Sequence, residues 1–567
     1  MKITLGIHVG HDRGVALIKD NVVIGAISQE RIDRIKYSPS SNIPFDSIDK
    51  LLGYCNIKLS NISCIGISYD GLEGLSALNL YHEEFLEHYQ CEYIPMYLVS
   101  HHEAHAYSAF FASGFSESLI FVADGGGDYI NGKQEAESLF VGQNGKISCI
   151  SQRLQNPMIR KLGDKRNYII PLMPDVIKEA NISIGRKYEQ ITYLLNLGRG
   201  GSGKTMGLAS YGKSLINFKQ EDFSDFNFSV KYKDILENVF AMATLLGDTF
   251  NTFIEKERAN IAATAQAFVE TSIIGLLDSV FSQYPCKNLC LAGGVFLNCI
   301  VNQKILNNFN LDSLFVMPPA GDDGQAIGAA FFAHCRHFGF KNKFEIKLPY
   351  LGLSYSNQDI ETTLKSMNLN YSFFDDDDLS TQIATSIADN KIVALHRGRT
   401  EIGPRALCHR SIITSPINPN MKDILNNRVK HRESFRPFGP TVIAEEQSKY
   451  FDLRCTSDFM LFAADVKKEY RDKLVAVTHI DNTARVQAVS KQQEPFVHSL
   501  LQEVKKIIGF PIILNTSFNI AGQPIVESPL DAVKTFLTAD IDVLVIGNYV
   551  LKKHNNLNDT VLKVDAL

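Results

Sequence analysis

The chain has 567 residues, of which 45% are hydrophobic and 21% are charged, and its net charge is -5. A chain of this length forms two or more domains, and its mild acidity excludes a general basic surface for nucleic acid or anionic membrane. Ten scattered cysteines without a CxxC pair indicate the reduced thiols of a cytoplasmic protein. The N-terminal stretch is interrupted by His8, His11 and Asp12, so no signal peptide is predicted. No apolar run approaches the roughly 20 residues of a membrane-spanning helix.

The first part of the chain predicts a strand, a short polar loop and a hairpin. KITLGIHVG has a strand pattern, and GVALIKDNVVIGAIS has a hairpin pattern that turns at Asp20 and Asn21. The start of the chain is similar here to proteins of the actin, Hsp70 and sugar-kinase superfamily, in which such a loop contacts phosphate. Residues 10–12 (GHD) would take that place, with an ordinary strand end as the alternative. Lys36 follows on a polar segment and is placed to reach an anion held near His11.

A helix that carries two histidines is predicted next. In SHHEAHAYSAFFASG, Ser100 is placed as an N-cap with Glu103 three residues later, and Gly114 is the expected terminator. His101 and His105 are four residues apart and therefore share a helix face. The pattern is not the HExxH of zinc hydrolases, because the residue after the first histidine is not glutamate. Two capping or surface histidines are the alternative to a metal site.

The apolar strand SLIFVAD then delivers Asp124 into the glycine turn DGGGD at residues 124–128. Two imidazoles and one carboxylate at the end of a strand make a plausible mixed nitrogen and oxygen metal site. The same turn opens a second hairpin, which reverses at Asn144 and Gly145. Its backbone N–H groups are able to approach phosphate oxygens, although a glycine turn without function is an equal alternative.

Residues 198–205 (GRGGSGKT) match the P-loop pattern, but their context argues against a P-loop. That motif needs a strand before it and a helix after it. The preceding YEQITYLLNL is a helical pattern, and Gly207 and Gly212 are expected to interrupt any helix that follows. A flexible lid over nucleotide or acceptor is the preferred interpretation.

Strand, glycine turn and helix occur twice more, after a helical stretch at residues 230–285. KNLCLAGGVFLN carries Gly293, Gly294 and Asn298, and DSLFVMPPAGDDGQ carries Asp322. A second half that echoes the first predicts a cleft that binds ATP, with the paired glycines close to adenosine. Asp322 stands at a helix N-terminus and is placed to complete the metal shell; a routine N-cap is the alternative.

The glycine-loop pattern is lost near residues 340–356, and the second domain carries a different chemistry. Arginine and lysine gather beside glycine, proline and phenylalanine at 395–413 and 426–440, with a further cluster at 477–489, and NTS (515–517) ends the strand FPIIL. Arginine forks bind phosphate or carboxylate through two hydrogen bonds. Surface ion pairs are the alternative, which several such clusters in one domain disfavour. The acidic run at 375–378 is interpreted as a helix cap.

With these motifs together, the chain resembles the NodU/CmcH-type O-carbamoyltransferases, the family of nodulation-factor, tobramycin and cephamycin carbamoyltransferases. The resemblance covers nearly the whole chain. It rests on GHD (10–12), HHEAH and AYSAF (101–110), DGGGD (124–128), KTMGLASYG (204–212), GGVFLN (293–298), GDDG (321–324), GPRALCHRS (403–411), VKHRESFRPF (429–438), THIDNTARVQ (478–487) and LNTSFN (514–519).

The resemblance implies an α/β protein of two domains. Residues 1–347 would form an actin-like domain of the duplicated ribonuclease H-like type (ASKHA), and residues 348–567 a YrdC-like α/β domain. The second domain would make carbamoyl-adenylate from carbamoyl phosphate and ATP with Mg²⁺. The first would pass the carbamoyl group to a hydroxyl of a small-molecule acceptor, such as an antibiotic, another natural product or a sugar.

The resemblance also implies roles for individual residues. The metal, Fe²⁺ or another divalent ion, would be held by His101, His105, Asp124 and Asp322. Catalytic contacts would come from His11, Lys36, Arg405, Arg436, Arg485 and Asn515. Nucleotide and intermediate contacts would come from Asp124, Gly125, Gly126, Gly207, Gly293, Gly294, Asn298, Asp323, Gly324 and Ser517.

Two other functions stay open at this point. One is a threonylcarbamoyl transferase that modifies tRNA adenosine, which the fused second domain and the lack of an obvious tRNA-binding tract disfavour. The other is a nucleotide-binding module without catalysis, which the intact histidine and aspartate set disfavours. We therefore expect a cytoplasmic enzyme without nucleic-acid or membrane partners, with a homodimer as one option.

Overall fold

The computed structural model of the protein describes residues 1–69, 74–130, 132–155, 182–223, 235–246, 248–340 and 343–555. Within these residues the chain forms two related sheets, then a larger mixed sheet and a small three-stranded one. The order of the strands in the first two sheets decides where the candidate site lies.

The first sheet is formed by the segment predicted as strand, loop and hairpin. Its strands are β1 Ile3–Val9, β2 Gly14–Lys19, β3 Val22–Ser28, β4 Cys64–Tyr69 and β5 Met96–Leu98, and its helices are α1 Glu30–Asp33, α2 Phe45–Tyr54, α3 Gly74–Tyr89 and α4 His101–Ser113. The strand order is β3–β2–β1–β4–β5, in which β2 is antiparallel to both β1 and β3, and β4 is parallel to both β1 and β5. The predicted turn between β2 and β3 is confirmed, with Asp20 at a φ of 56°.

The second sheet repeats this order. Its strands are β6 Glu117–Ala123, β7 Tyr129–Ile130, β8 Lys133–Gln143, β9 Lys146–Gln155, β10 Asn288–Ala292 and β11 Ser313–Val316. Strand β6 pairs antiparallel with β8 and parallel with β10, β8 continues to β9, and β10 continues to β11. The order β9–β8–β6–β10–β11 therefore matches β3–β2–β1–β4–β5. The helices of this half are α5 Ile184–Leu194, α6 Ser202–Ala209, α7 Ile235–Leu245, α8 Phe250–Lys256, α9 Arg258–Gln283, α10 Cys299–Asn308 and α11 Gln325–Phe338.

The duplicated sheet order is that of the actin-like fold, so the predicted fold class is confirmed. The turn predicted between β8 and β9 is also present, with left-handed φ values of 51° at Asn144 and 76° at Gly145. These angles suit Asn-Gly in a two-residue hairpin turn. The end of β6, the turn that follows β11 and the start of α4 lie close together, because ligand atoms of Asp124, Asp322 and His101 are within 4.8 Å of one another.

The helix α9 is the apolar centre of the second half. Among the described helices it is long and apolar enough to cross a membrane, but 78% of its most apolar stretch is buried inside the protein. Its buried residues include Ile261, Phe268 and Leu277, which pack in the same core as β6 and β10. Burial to this extent is typical of a helix in the core of a folded domain.

The segment that resembles a P-loop contains one feature that the sequence prediction missed. A helix, α6, begins inside the GRGGSGKT sequence at Ser202 and includes Gly207, so the expected interruption by this glycine was wrong. Gly207 lies against the segment at 435–437, where an added Cβ would be 3.3 Å from Pro437 Cδ, and close packing of this kind explains a glycine inside a helix. The element before the motif is helix α5, as predicted, so the strand that a P-loop requires is not there.

The third sheet is formed by eight of the strands that follow residue 371. Its strands, in spatial order, are β12 Ser372–Phe373, β22 Tyr549–Lys552, β21 Val543–Ile546, β13 Val393–His396, β14 Arg410–Thr414, β20 Ile512–Ser517, β15 Gly439–Ile443 and β19 Gln487–Val489. A small sheet beside it contains β16 Phe451–Asp452, β17 Ala463–Val466 and β18 Thr483–Arg485. The helices are α12 Asn357–Ser366, α13 Asp376–Ala388, α14 Met421–Leu425, α15 Gln447–Tyr450, α16 Pro495–Ile508 and α17 Pro529–Thr538.

This C-terminal part is α/β, as predicted, while its likeness to YrdC and the boundary between residues 347 and 348 stay predictions. The acidic run does cap a helix, because the Asp375 side chain accepts a hydrogen bond from the Asp378 N–H at the start of α13. All ten cysteines lie within the described residues and are free thiols, which agrees with the absence of a disulfide framework in the prediction.

Candidate metal and anion sites

Helix α4 places two histidines on one buried face. It begins at His101 because the Ser100 side chain accepts a hydrogen bond from the Glu103 N–H, and it ends before Gly114, whose φ of 71° is left-handed. Both ends were predicted from the sequence. His101 and His105 are fully buried, so they are not the surface or capping histidines of the alternative interpretation.

Four side chains from three separate parts of the chain converge at this face. The Nε2 atoms of His101 and His105 each lie 3.3 Å from Asp124 Oδ2 and 3.2 Å from Asp322 Oδ1. One ligand atom from each of the four residues lies within 4.8 Å of the others. Asp124 follows β6 and Asp322 lies in the turn before α11. The structure thus brings together all four residues predicted as metal ligands.

The group fits a divalent cation. Histidine and carboxylate ligands lie about 2.0–2.2 Å from a first-row metal ion, so two ligand atoms on one ion are roughly 3 Å apart. The separations of 3.2–3.3 Å are close to this value. A set of two imidazoles and two carboxylates is also chemically suited to ions such as Fe²⁺, Mn²⁺ or Zn²⁺.

The charges of these four residues depend on one another. Burial alone lowers the pKa of His101, but the carboxylates of Asp322 and Asp124 outweigh it and raise that pKa well above its ordinary value. The same two carboxylates raise the pKa of His105 against the effect of burial. Burial favours the protonated form of Asp322, yet the histidines hold its pKa well below the ordinary value. A cation bound at this position would take the place of the imidazole protons between the two carboxylates.

Sequence reasoning missed Gln325, the first residue of α11. Its Nε2 lies 2.7 Å from His101 Nε2, 3.2 Å from His105 Nε2 and 3.1 Å from Asp322 Oδ1. Its Oε1 is buried and has no partner among the residues that the structure describes. The amide is therefore a fifth polar group at the metal position. The available signal was its spacing of three from Asp322 at the start of a helix, which places two side chains on one side.

His11 lies at the edge of the same group and contacts two carboxylates. Its Nε2 is 3.1 Å from Asp322 Oδ2, and its Nδ1 is 2.8 Å from Asp12 Oδ2. The side chain is partly exposed, so it lies between the metal position and solvent. Behind it, His8 is fully buried, and burial lowers the pKa of His8 to about 3. The predicted first loop therefore does reach the metal position.

The glycine loops meet at Asp124. Asp124 Oδ1 accepts hydrogen bonds from the N–H groups of Gly125, at 2.7 Å, and Gly294, at 3.3 Å. Gly293 has a φ of 98°, and a Cβ there would lie 2.2 Å from the Ala123 carbonyl oxygen, so this turn requires glycine. A side chain is also excluded at Gly324, where a Cβ would lie 2.1 Å from the Pro319 carbonyl oxygen, whereas the atoms nearest to a Cβ on Gly126 belong to glutamine side chains.

Asn298 has a more local setting than predicted. It is the N-cap of α10 rather than a residue inside the helix, and its Oδ1 accepts from the N–H groups of Ile300 and Val301. Its amide also pairs with the side chain of Gln266. Its contact with nucleotide stays a prediction. A nucleotide would have to share the Asn298 amide with these protein partners.

A second site gathers cations from the C-terminal segments. We call it the cation cluster, and it consists of Arg405, Lys430, Arg432, Arg436 and Arg485. Burial, together with Arg485 and Arg436, lowers the pKa of Arg405 to about 9. Burial and the charges of Arg436 and Arg485 have the same effect on the pKa of Arg432. Buried like charges repel one another, so this arrangement favours an anionic ligand.

Two arginines of the cation cluster retain unused donors. The Nε atoms of Arg405 and Arg485 are buried without a partner among the described residues, whereas Arg405 Nη2 donates to the Leu297 carbonyl at 2.9 Å. That contact joins the cation cluster to the Gly293 turn. Arg436 is less buried, and its nearest carboxylate is Glu433, at 4.0 Å. The three predicted arginines therefore lie in one place.

Lys430 and Arg432 were missed by sequence reasoning. The Lys430 ammonium is buried and donates to Ser517 Oγ at 3.3 Å and to Asn519 Oδ1 at 2.8 Å. Burial and the nearby Arg432 and Arg436 lower its pKa well below the ordinary value. The signal was present in the motif VKHRESFRPF, where Lys430 ends a π-helical turn, Asn426–Lys430, and precedes Arg436 by six residues.

Asp323 connects the two sites. It follows the metal-site carboxylate of Asp322 directly and lies within electrostatic range of Arg405. Burial, with the charges of Asp12 and Glu30, raises the pKa of Asp323 well above its ordinary value. The metal position and the cation cluster are therefore neighbours.

The predicted catalytic residue Lys36 is exposed, and its ammonium is 5.4 Å from the Tyr37 ring centre.

Comparison with known proteins places this architecture in one class. The family model described as Carbamoyltransferase N-terminus matches residues 77–331, and the one described as Carbamoyltransferase C-terminus matches residues 384–553. An α/β chain with an actin-like first half and both family domains is a carbamoyltransferase. The chain belongs to the carbamoyltransferase family, as the sequence motifs predicted.

Relatives of known sequence extend over most of the chain. Nodulation protein NolNO of Sinorhizobium fredii is 32% identical over 96% of this chain and 79% of its own length. Nodulation protein NolO of Bradyrhizobium diazoefficiens is 33% identical over 80% of this chain and 79% of its own. An uncharacterized protein of Synechocystis is 30% identical over 96% of this chain and 95% of its own.

Two solved structures of HypF match part of this chain. Full-length HypF in its phosphate- and nucleotide-bound form covers 60% of this chain and 56% of its own, with 15% identity and a TM-score of 0.38. HypF of T. kodakarensis covers 58% of this chain and 47% of its own, with 15% identity and a TM-score of 0.41. At these TM-scores the similarity supports no conclusion about function.

Substitution of Gly328 by Ala is expected to disturb the metal position from a distance. Helix α11 packs closely against α4 here, and a Cβ on Gly328 would lie 1.8 Å from the Ala104 carbonyl oxygen. Separation of the helices would move Asp322 away from His101. We expect a loss of about 1–3 kcal/mol in the free energy of unfolding, together with at least about tenfold weaker binding of Co²⁺, measured by denaturant unfolding and calorimetry.

The matched control for this substitution is Gly53→Ala. Gly53 also lies in a helix, but nothing is within 4 Å of a Cβ added there. This control is expected to retain Co²⁺ binding and stability. Unchanged Co²⁺ affinity in Gly328→Ala would contradict the link between helix packing and the metal position.

Proposed function

We propose that the protein is an ATP-dependent O-carbamoyltransferase that works in two steps. In the first, carbamoyl phosphate, ATP and water give carbamoyl-adenylate, pyrophosphate and phosphate. In the second, an acceptor hydroxyl attacks the carbamoyl carbon, loses its proton, and AMP leaves with the electrons of the broken C–O bond. The carbamoyl group is a weak electrophile because its nitrogen donates into the carbonyl, so activation by AMP supplies the leaving group that the transfer needs.

The cation cluster supports the first step. Arg405 and Arg485 present buried donors without partners among the described residues, and Lys430 adds a third buried cation. Guanidinium groups bind phosphate through paired hydrogen bonds, and preorganised cations stabilise the charge that develops during phosphoryl and nucleotidyl transfer. Ser517, beside Lys430, would contact the intermediate.

The metal position supports the second step. A divalent cation, which we propose to be Fe²⁺, would be held by His101, His105, Asp124 and Asp322 and would stabilise charge on the departing phosphate oxygen. The N–H groups of Gly125 and Gly294 donate to Asp124 Oδ1 and hold this ligand in place. The space beside Gly125, where nothing lies within 4 Å of an added Cβ, would let the nucleotide phosphate approach the backbone. Lys36 would add a mobile positive charge from the rim.

His11 is the residue that we propose as the general base. Asp12 lies 2.8 Å from Nδ1 and holds the ring so that Nε2 faces the metal position. Imidazole exchanges protons near neutral pH. If a bound cation engages Asp322, Nε2 would be released from that carboxylate and would take the proton of the acceptor hydroxyl as it attacks. Partial exposure of His11 suits an acceptor that enters from solvent.

The observation that carries this proposal is the closeness of two chemically different sites in one carbamoyltransferase chain. Arg405 bonds to the Leu297 carbonyl, and Gly294 in the same turn donates to Asp124 of the metal group. Asp322 belongs to the metal group, and the adjacent Asp323 lies within range of Arg405 in the cation cluster. A short protected path between them would spare the adenylate from water. Free cysteines agree with the proposed cytoplasmic location, where ATP is available.

The test supplies carbamoyl phosphate, Mg²⁺-ATP and Fe²⁺ to the full-length protein with a panel of hydroxylated natural products and sugars. Mass spectrometry is expected to find an acceptor with a mass gain of one carbamoyl group, and only when both carbamoyl phosphate and ATP are present. Carbamoylation that proceeds without ATP would contradict the proposal. Tight binding of tRNA together with threonylcarbamoyl transfer would favour the alternative function.

Removal of the transition metal is expected to separate the two steps. After treatment with a chelator and dialysis into Mg²⁺, pyrophosphate release that depends on carbamoyl phosphate should continue, because the cation cluster is intact. Transfer to the acceptor should fall about 10²–10³-fold and recover on addition of Fe²⁺. Loss of both activities together, with no difference in their recovery, would contradict the assignment of the metal to the second step.

A further inference from the structure

Gln325 has a fixed position beside the four proposed metal ligands. It is the first residue of α11 and is fully buried, and its backbone N–H donates to the Asp322 carbonyl oxygen in the preceding turn. Helix α11 packs so closely on α4 that a Cβ on Gly328 would lie 1.8 Å from the Ala104 carbonyl oxygen. The packing of these two helices therefore sets the distance between the Gln325 side chain and the histidines of α4.

One end of the Gln325 amide lies at the spacing of a further ligand. Its Nε2 is 2.7 Å from His101 Nε2, 3.2 Å from His105 Nε2 and 3.1 Å from Asp322 Oδ1. Ligand atoms that share one ion are roughly 3 Å apart, and the imidazoles and carboxylates of the group show similar separations among themselves. The amide thus covers the side of the group that the two imidazoles and Asp322 form.

Nitrogen is the wrong amide atom for this place once a cation is bound. The imidazole lone pairs then face the ion and no longer accept hydrogen bonds from an NH₂ group. A neutral amide nitrogen does not bind metals, because its lone pair is delocalised into the carbonyl, whereas an amide oxygen does. Gln325 Oε1 is buried and has no partner in the described part of the chain. A half-turn about the Cγ–Cδ bond therefore brings Oε1 to the ion without the loss of a hydrogen bond at Oε1.

The two imidazoles also depend on Gln325 for their orientation. Their second nitrogen atoms, His101 Nδ1 and His105 Nδ1, are buried without a hydrogen-bond partner among the described residues. In most metal sites this second nitrogen donates to an acceptor that orients the ring. Here the contacts at Nε2 must orient both rings, and the Gln325 amide reaches each of them. Its place at the site is therefore more than the packing of a helix end.

We infer that Gln325 Oε1 is a fifth ligand of the bound ion, and that this neutral oxygen adapts the site to Fe²⁺ or Mn²⁺ rather than Zn²⁺. The inference rests on the proposed function for the presence of the ion. Two imidazoles and two carboxylates alone are a suitable tetrahedral set for Zn²⁺, which mostly binds four groups in proteins. Zn²⁺ also binds most sites more tightly than Fe²⁺ or Mn²⁺, so selectivity must come from geometry and ligand type. An added oxygen ligand supplies both.

The test compares the full-length wild-type protein with Gln325→Leu and Gln325→Glu, each stripped of metal and loaded with Co²⁺. Gln325→Leu removes the oxygen, whereas Gln325→Glu keeps an oxygen and removes the NH₂ group. Calorimetry is expected to show at least about tenfold weaker Co²⁺ binding in Gln325→Leu, and wild-type or tighter binding in Gln325→Glu. The visible absorption of Co²⁺ should become more intense in Gln325→Leu, because these bands are stronger in four-coordinate than in five-coordinate sites.

Competition between metals measures the selectivity. The wild type and Gln325→Leu are dialysed without oxygen against equal concentrations of Fe²⁺ and Zn²⁺, and the bound metals are counted by mass spectrometry. The ratio of iron to zinc is expected to fall about tenfold or more in the variant. Gln325→Asn, which keeps the amide but shortens its reach, serves if Gln325→Leu does not fold.

The matched control is Gln447→Leu. Gln447 is also buried, and its amide is hydrogen-bonded at both ends, to the Cys455 carbonyl oxygen and the Ser457 N–H. This variant is expected to keep the Co²⁺ spectrum and the metal ratio of the wild type. An unchanged Co²⁺ affinity and spectrum in Gln325→Leu would overturn the inference. Equal losses in Gln325→Leu and Gln325→Glu would overturn it as well, because Gln325 would then act only as a donor to Asp322.

The proposed function is judged separately, by carbamoyl transfer in the same preparations. If the wild type binds Co²⁺ through Gln325 but transfers no carbamoyl group, the proposed function fails while the role of Gln325 holds. If transfer requires the metal but Gln325→Leu binds it as the wild type does, the role of Gln325 fails while the proposed function holds.

Discussion

Substitution of His101 or His105 by Ala is expected to abolish stable metal binding and carbamoyl transfer while adenylate formation continues. Each imidazole lies 3.2–3.3 Å from both carboxylates of the group, and removal of one leaves Asp124 and Asp322 with too few partners. Metal affinity should fall at least about 100-fold, and transfer to an acceptor about 10²–10³-fold. Metal analysis by mass spectrometry and a transfer assay measure both effects.

The control for this experiment is His102→Gln. His102 is also buried on α4, but its Nδ1 lies 2.7 Å from Ser138 Oγ, and burial lowers its pKa to about 4. It faces away from the four ligands, so metal content should persist in this variant. If His101→Ala and His105→Ala retain the metal and turn over at the wild-type rate, the metal assignment is wrong.

Substitution of Arg485 by Met is expected to remove activity without loss of stability. Burial, together with Arg436, lowers the pKa of Arg485, so its charge in the folded protein costs free energy rather than contributing it. Removal of the charge should leave Tm unchanged or raise it. Pyrophosphate release should nevertheless fall about 10²–10³-fold, because one of the preorganised phosphate donors is lost.

Arg428→Met provides the opposite pattern and serves as the matched control. Arg428 lies on the surface of the same region and pairs with Asp542 at 2.9 Å and with Asp540 at 2.6 Å. Its loss should lower stability by about 0–1 kcal/mol and leave pyrophosphate release intact. Wild-type pyrophosphate release in Arg485→Met would contradict the role of the cation cluster.

The sequence predicted those features that depend on local chemistry. The ends of α4 followed from Ser100 and Gly114, and the hairpin turn at Asn144 followed from the Asn-Gly pair. The histidine pair and Asp124 were recognised because a four-residue spacing and a strand end carry direct geometric information. The duplicated strand–turn–helix pattern then indicated Asp322.

Features that depend on packing between distant parts of the chain were harder to predict from the sequence. Nothing in the local sequence shows that the Gln325 amide meets His101, 224 positions away, or that the Lys430 ammonium meets Ser517, 87 positions away. The helix at α6 was missed because Gly207 weakens a helical pattern, whereas its packing against Pro437 only exists in the folded chain. The buried amide of Asn515 likewise bonds to Ala406 and Gln487, which come from other parts of the chain.

The nucleotide products of the wild-type protein test the central claim most directly. The full-length protein is incubated with ATP labelled in the α-phosphate, carbamoyl phosphate, Mg²⁺ and Fe²⁺, with the acceptor where one is known, and the labelled nucleotides are separated. We predict AMP, with an equal amount of pyrophosphate, formed only when carbamoyl phosphate is present. ADP as the sole labelled product, or AMP formed equally without carbamoyl phosphate, would contradict transfer through an adenylate.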